Sequence, residues 1–167
     1  MRGAIWGGIL LAVSAGLLIL AWPRTVVLSL TDLRREQEVY CARMAEGEEV
    51  VLRFIHSVNK RPVFDTLRAG PDHVVIVKSR FDAFGAGMPE ASTDQGTFRV
   101  LPDGWLEWTI NRRMPEVVVR VGRVADHTLL IEGREVPLAG LAEPGAPIAF
   151  TGQLRSLVGL WKGRCVR

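Results

Sequence analysis

The densest run of reactive side chains in the sequence extends from residue 53 to residue 65. A turn centred on Lys60 would place His56 opposite Asp65 on neighbouring strands, where cross-strand Cβ atoms lie about 4.5–5.5 Å apart. A carboxylate at that position would fix the tautomer of the imidazole. We therefore predict that His56 and Asp65 form one half of a polar site. The alternative is a histidine packed at a strand end, with a solvated aspartate nearby.

A second unusual run, from residue 81 to residue 89, carries Gly85 and Gly87 one residue apart. Such glycines allow positive φ angles and a close approach of the backbone to a ligand or to another strand. Successive amides in this loop could form a nest that binds anions. No third glycine and no helical pattern follow, so this is not a dinucleotide fingerprint. An ordinary turn between strands is the alternative.

Together the two runs predict a small site for an anion or a carboxylate. His56, Lys60, Arg61 and the amides of the glycine loop would supply the positive charge and the hydrogen-bond donors. The predicted binding residues are His56, Ser57, Lys60, Asp65, Gly85, Gly87, Met88 and Pro89.

Catalysis and metal binding are weaker hypotheses. Successive side chains of a strand point to opposite faces, which opposes a Ser57–His56 hydrolase, and no nucleophile-elbow spacing is present. The three histidines, His56, His73 and His127, lack the spacing of metal ligands. We predict a protein that is not an enzyme and that uses no metal and no cofactor.

Cys41 and Cys165 stand near the two ends of the chain that follows the apolar N-terminal segment, and no CxxC spacing occurs. This excludes the usual zinc and redox motifs. A disulfide between them and a pair of unrelated buried thiols are both compatible with the sequence.

Composition limits the function further. Hydrophobic residues make up 48% of the 167 residues, which is enough for a packed core. The formal net charge is only +3, and the basic residues are scattered. We therefore do not expect nucleic-acid binding.

Residues 4–22 contain no charge, and a helix of that length just spans a hydrocarbon core of about 30 Å. Trp6 and Trp22 stand near its ends, where indoles prefer the membrane interface. We prefer an uncleaved anchor to a cleaved signal peptide. The predicted organisation is an anchor at 1–24, a neck or linker at 25–38 and a β domain at 39–167. A single pass through the cell inner membrane would leave the β domain on the periplasmic, extracytoplasmic side.

After residue 38, alternating apolar and polar residues separated by turn signals predict about eight or more short strands in an antiparallel β-sandwich or barrel. The predicted strands are 39–43, 50–56, 63–67, 73–81, 97–101, 105–110, 117–124, 128–131, 136–138 and 148–150. The last stretch, 154–166, predicts either a short helix or a closing strand.

The two runs also carry a resemblance. Residues 54–58, then Pro62 and Val63 with the acidic Asp65, then residues 84–89 resemble a bacterial family of small proteins, the domain of unknown function 1850. The resemblance extends from about Tyr40 to Phe150 and includes Cys41. The family has no assigned activity, and its members occur beside TRAP transporters of the TAXI type. The resemblance thus implies a membrane-tethered, extracytoplasmic accessory protein that docks on the permease or the solute-binding subunit.

Overall fold

Short alternating segments of the sequence become strands throughout the domain. The computed structural model describes residues 6, 14, 16, 18–163, 165 and 166, and this part of the chain contains eleven strands. They are β1 (Thr25–Asp32), β2 (Gln37–Arg43), β3 (Glu49–Ile55), β4 (Pro62–Ala69), β5 (Val74–Phe81), β6 (Thr97–Val100), β7 (Leu106–Met114), β8 (Val117–Arg120), β9 (Thr128–Ile131), β10 (Arg134–Pro137) and β11 (Pro147–Arg155). A 3₁₀ turn, Leu138–Gly140, and a short helix, α1 (Leu157–Lys162), complete it.

The strands are antiparallel, as predicted, and they form two sheets. The smaller sheet has the order β2-β1-β11-β8, and the larger one has the order β10-β9-β3-β4-β5-β7-β6. Leu28, Leu30 and Phe150 of the smaller sheet share one buried cluster with Leu52 and Leu67 of the larger sheet. Burial of these apolar side chains between the sheets is the main stabilising term of the fold.

The predicted neck is wrong for residues 25–38. Residues 25–32 form β1, which pairs with β11 along its whole length and with β2 on its other side. Its residues from Val27 to Leu30 are buried on both faces of the sheet, because α1 covers one face and the larger sheet covers the other. A strand covered on both faces has a continuous apolar run in place of alternation, which is why the sequence suggested a connection.

The two ends of the domain are built differently. At one end, which we call the N-terminal end, residues 18–24 lead into β1, beside the turns at 45–48 and 70–73. At the other end lie the loops 56–61, 82–96 and 121–127, which we call the three-loop end. The strands between are seven or eight residues long, so about 25 Å separates the two ends.

The predicted membrane segment lies mostly outside the described residues. Residues 18–21 are helical, and the amide of Trp22 donates to the carbonyl oxygen of Leu18 at 2.9 Å. Among the residues that the structure describes, none of the helices combines the length and the apolar character needed to cross a membrane.

The C-terminal stretch is a helix, one of its two predicted forms. The Ser156 hydroxyl caps α1 by accepting a hydrogen bond from the amide of Gly159 at 3.1 Å. Leu160 is buried against Val27, and Cys41 and Cys165 form a disulfide with their Cα atoms 4.5 Å apart. The disulfide ties the chain that follows α1 to β2.

Candidate functional site

Hydrogen bonds to backbone carbonyl oxygens connect the three loops at the three-loop end. The side-chain amide of Asn59 donates to the carbonyl oxygens of Ala83 at 3.3 Å and Phe84 at 3.2 Å. The amide of Ile55, at the end of β3, donates to the carbonyl oxygen of Ala125 at 2.7 Å. The run at 53–65 and the glycine run at 84–89 therefore fold against each other, as the sequence analysis predicted.

His56 begins the first of these loops. Its Nδ1 accepts hydrogen bonds from the amides of Val58 at 3.3 Å and Asn59 at 3.4 Å. A neutral imidazole held in this way carries its proton on Nε2. Its backbone amide also donates to the carbonyl oxygen of Arg61, so the ring and the main chain of His56 both close the turn.

Gly85 is required by this arrangement for a steric reason. A Cβ atom at Gly85 would lie 2.8 Å from Nδ2 of Asn59 and 3.4 Å from Cε1 of His56. The close approach of the two loops thus depends on the missing side chain.

The predicted pairing of His56 with Asp65 is wrong. The register of β3 and β4 places Leu52 opposite Asp65 and Ile55 opposite Pro62, so His56 lies beyond the paired region. The Asp65 carboxylate instead accepts a hydrogen bond from the Ser79 hydroxyl on β5 at 2.6 Å. Burial raises the pKa of Asp65, and the hydrogen bond from Ser79 opposes that shift.

The predicted cations of the site are bonded to groups of the protein, Lys60 within its own loop and Arg61 to the neighbouring loop. The Lys60 ammonium donates to the carbonyl oxygen of Ser57 at 2.5 Å. Arg61 donates from Nε to the Asp82 carboxylate at 3.0 Å, with a second bond from Nη2. This hydrogen bonding raises the pKa of Arg61. Asp82, which lies in the second run but was not among the predicted binding residues, therefore neutralises the arginine that was expected to face an anion.

The rest of the glycine run forms a turn. The amide of Met88 donates to the carbonyl oxygen of Gly85 at 3.0 Å, and Gly87 has φ of 82°, which glycine adopts at no steric cost. The Met88 side chain packs on a small apolar cluster formed by Val63, Phe81 and Leu106. Met88 thus anchors the loop, with Pro89 following it, and anion binding by the loop amides stays a prediction.

Within the described loop 56–61, His56 and Ser57 are not paired for nucleophilic attack. Nδ1 of His56 is occupied by two backbone amides, and Ser57 is exposed in the same turn. Within the described ranges, no group of three or more His, Cys, Asp and Glu residues is arranged to hold a metal ion.

His127 lies in the third loop, and its ring stacks on Phe54 with the centroids 5.4 Å apart. Burial lowers the pKa of His127, and the charge of Asp126 opposes that shift. Sequence reasoning missed this contact because Phe54 and His127 are remote in the chain. Only the pairing of β3 with β9 brings them together.

Each loop also exposes one large apolar side chain. Val58, Phe84 and Val124 are 63%, 50% and 67% exposed. All three side chains lie at the three-loop end of the domain.

The fold and this end define a class of protein: an all-β domain of two antiparallel sheets that holds three connected loops at one end of its strands. A family model described as a domain of unknown function (DUF1850) matches residues 50–138, which include all three loops, and the chain belongs to this family. Neither the curated proteins nor the solved structures contain a match to the chain.

Proposed function

We propose that this protein is a membrane-tethered, extracytoplasmic accessory protein of a TAXI-type TRAP transporter, and that it docks on its partner through the three-loop end. The transporter setting comes from the family resemblance. The Cys41–Cys165 disulfide supports an oxidising, extracytoplasmic location.

The observation that carries the proposal is the position of Val58, Phe84 and Val124. They are exposed on three loops that hydrogen bonds hold together, at the end opposite the entry of the N-terminal segment. A tether at the N-terminal end would hold these side chains about 25 Å from the attachment point. A surface at that distance from the membrane can contact a solute-binding subunit more readily than the membrane-embedded part of a permease.

The hydrogen bonds between the loops favour docking of a partner over catalysis. The Asn59 amide and the Arg61 guanidinium bond to neighbouring loops, so they fix the shape of the end. A surface that is shaped before binding loses less conformational entropy when a partner docks.

The test is recovery of partners from detergent-solubilised membranes with the tagged full chain. We expect the solute-binding subunit, the permease or both to be recovered with the wild type. The V58D/F84D double variant should lose them, because two carboxylates would be desolvated in the interface. V118D is the matched control, since Val118 is an exposed valine on β8, outside the three loops.

Two results would contradict the proposal. Recovery of neither transporter subunit with the wild type would remove the transporter from it. Equal recovery with V58D/F84D and with V118D would show that the partner contacts another surface.

A further inference from the structure

The helix α1 has more apolar surface than the described part of the chain covers. Its six residues, LVGLWK, include four large apolar side chains, and only Leu160 is buried. Leu157, Val158 and Trp161 are exposed, and Trp161, at 81%, is the most exposed large hydrophobic residue among those described. Leu157, Val158 and Trp161 therefore leave an apolar surface of α1 uncovered by the described part of the chain.

The position of α1 indicates what covers it. Thr25, the first residue of β1, pairs with Arg155, which lies two residues before α1. The amide of Arg24 donates to the carbonyl oxygen of Arg155 at 3.2 Å. The apolar N-terminal segment therefore leaves the domain beside α1, and Trp22, which ends that segment, is 69% exposed.

The described basic residues beside α1 are Arg43, Lys162 and Arg155, and Arg155 is paired with the Glu38 carboxylate. The sequence from 154 to 167 contains four basic residues and no acidic one. A groove of about 540 Å³ beside α1 is lined by Arg43, Lys162 and Trp161. Cations next to exposed tryptophan fit the interface of a bilayer that carries anionic headgroups.

The disulfide holds this surface in place. Cys165 follows α1 and is bonded to Cys41 of β2, and Val166 forms a parallel bridge with Ala42. The outer side of α1 is thus fixed in orientation relative to the start of β1.

We propose that α1 lies on the surface of the bilayer, with Trp161 among the lipid headgroups and Arg43 and Lys162 near anionic lipid. This inference rests on the membrane tether of the proposed function. The contact would orient the domain, so that the three-loop end points away from the membrane.

The experiment uses the full chain in vesicles of phosphatidylcholine and phosphatidylglycerol, with and without bromine atoms on the acyl chains. The background variant W6F/W22F removes the tryptophans of the N-terminal segment, so that Trp105, Trp108 and Trp161 provide the emission. We expect bromine to quench part of this emission, and the added change W161F to abolish the quenching. W105F is the matched control, because Trp105 packs against Phe64 on the larger sheet. Quenching should persist in W105F.

Flotation with the vesicles separates the two proposals. A full chain that does not float with vesicles overturns the tether and this inference with it. A chain that floats, with quenching that W161F does not reduce, overturns the inference alone. A chain that floats unquenched, and whose dimer in detergent is lost on W161F, shows that a second copy covers α1, which also overturns the inference.

Discussion

The Nδ2 atom of Asn59 lies 3.2 Å from the carbonyl oxygen of Phe84, and this hydrogen bond joins the loop after β3 to the loop after β5. The same amide reaches the carbonyl oxygen of Ala83 at 3.3 Å. Asn59 and Phe84 are 25 residues apart in the chain, and the Asn59 side chain sets the spacing of their two loops.

Replacing Asn59 with aspartate should separate these loops. The change keeps the size of the side chain but replaces two donors with a carboxylate that faces two carbonyl oxygens. We expect a loss of about 1–3 kcal/mol in the free energy of unfolding, measured by denaturant titration. The control is Gln95→Glu, the same amide-to-acid change at an exposed position. A similar, small loss in both variants would contradict the role of Asn59.

Gly85→Ala tests the close approach of the loops directly. The new methyl group would lie 2.8 Å from Nδ2 of Asn59, so we expect overpacking to cost about 1–3 kcal/mol in thermal or denaturant unfolding. Gly140→Ala is the matched control, because a Cβ there has no heavy atom within 4 Å. If both alanine variants were equally stable, the contact of Gly85 with Asn59 would not constrain the fold.

Removal of the disulfide should destabilise the domain as a whole. Cys41 and Cys165 are 124 residues apart, so the bond constrains a long loop in the unfolded chain. We expect C41S/C165S to lose about 2–5 kcal/mol in the free energy of unfolding. A reductant should lower the melting temperature of the wild type and leave that of the double variant unchanged. Insensitivity of the wild type, with the bond shown to be reduced, would contradict this expectation.

His127 should make stability depend on pH in the acid range. Its pKa in the folded protein lies below the ordinary value of 6.5 because of burial, so the unfolded chain binds the proton more readily. The stabilisation that buried, neutral His127 contributes is present above pH 6.5. It is lost as the pH falls through the pKa of His127 in the folded protein. Urea titrations of the wild type and of His127→Phe, which retains a ring against Phe54, should diverge on acidification. If the free energies of unfolding of the two proteins changed in parallel at every pH, His127 would not be the source of the pH dependence.

Asp65 should act in the opposite direction. Burial raises its folded pKa above the ordinary 3.8, so its contribution is present below that value and is lost as the pH rises through the folded pKa. Asp65→Asn keeps an acceptor for Ser79 and cannot ionise, so it should be more stable than the wild type at neutral pH. Asp94→Asn, at an exposed position, controls for the chemical change. A loss of stability at neutral pH in Asp65→Asn would mean that the ionised carboxylate is required.

Alternation of apolar and polar residues in the sequence predicts most of the strands. The predicted strand at 50–56 and β3 (Glu49–Ile55) differ by one residue at each end, and the predicted strand at 73–81 begins one residue before β5 (Val74–Phe81). These strands have one face in the core, so their side-chain period is visible in the sequence. β1 was missed as a strand of the domain because both of its faces are covered.

The sequence by itself determined the antiparallel β character, the two polar runs and the pair of cysteines, because periodicity, turn residues and residue type are local properties. Only the tertiary structure decided which residues meet. The six-residue turn after Ile55 placed Asp65 opposite Leu52 and not His56, and the pairing of β4 with β5 placed it opposite Ser79. Likewise, Asn59 and Arg61 contact a second loop because antiparallel pairing brings loops that are remote in the sequence to the same end of the sheet. No local pattern specifies the partner of a side chain across a sheet, because that partner depends on the register of every strand between them.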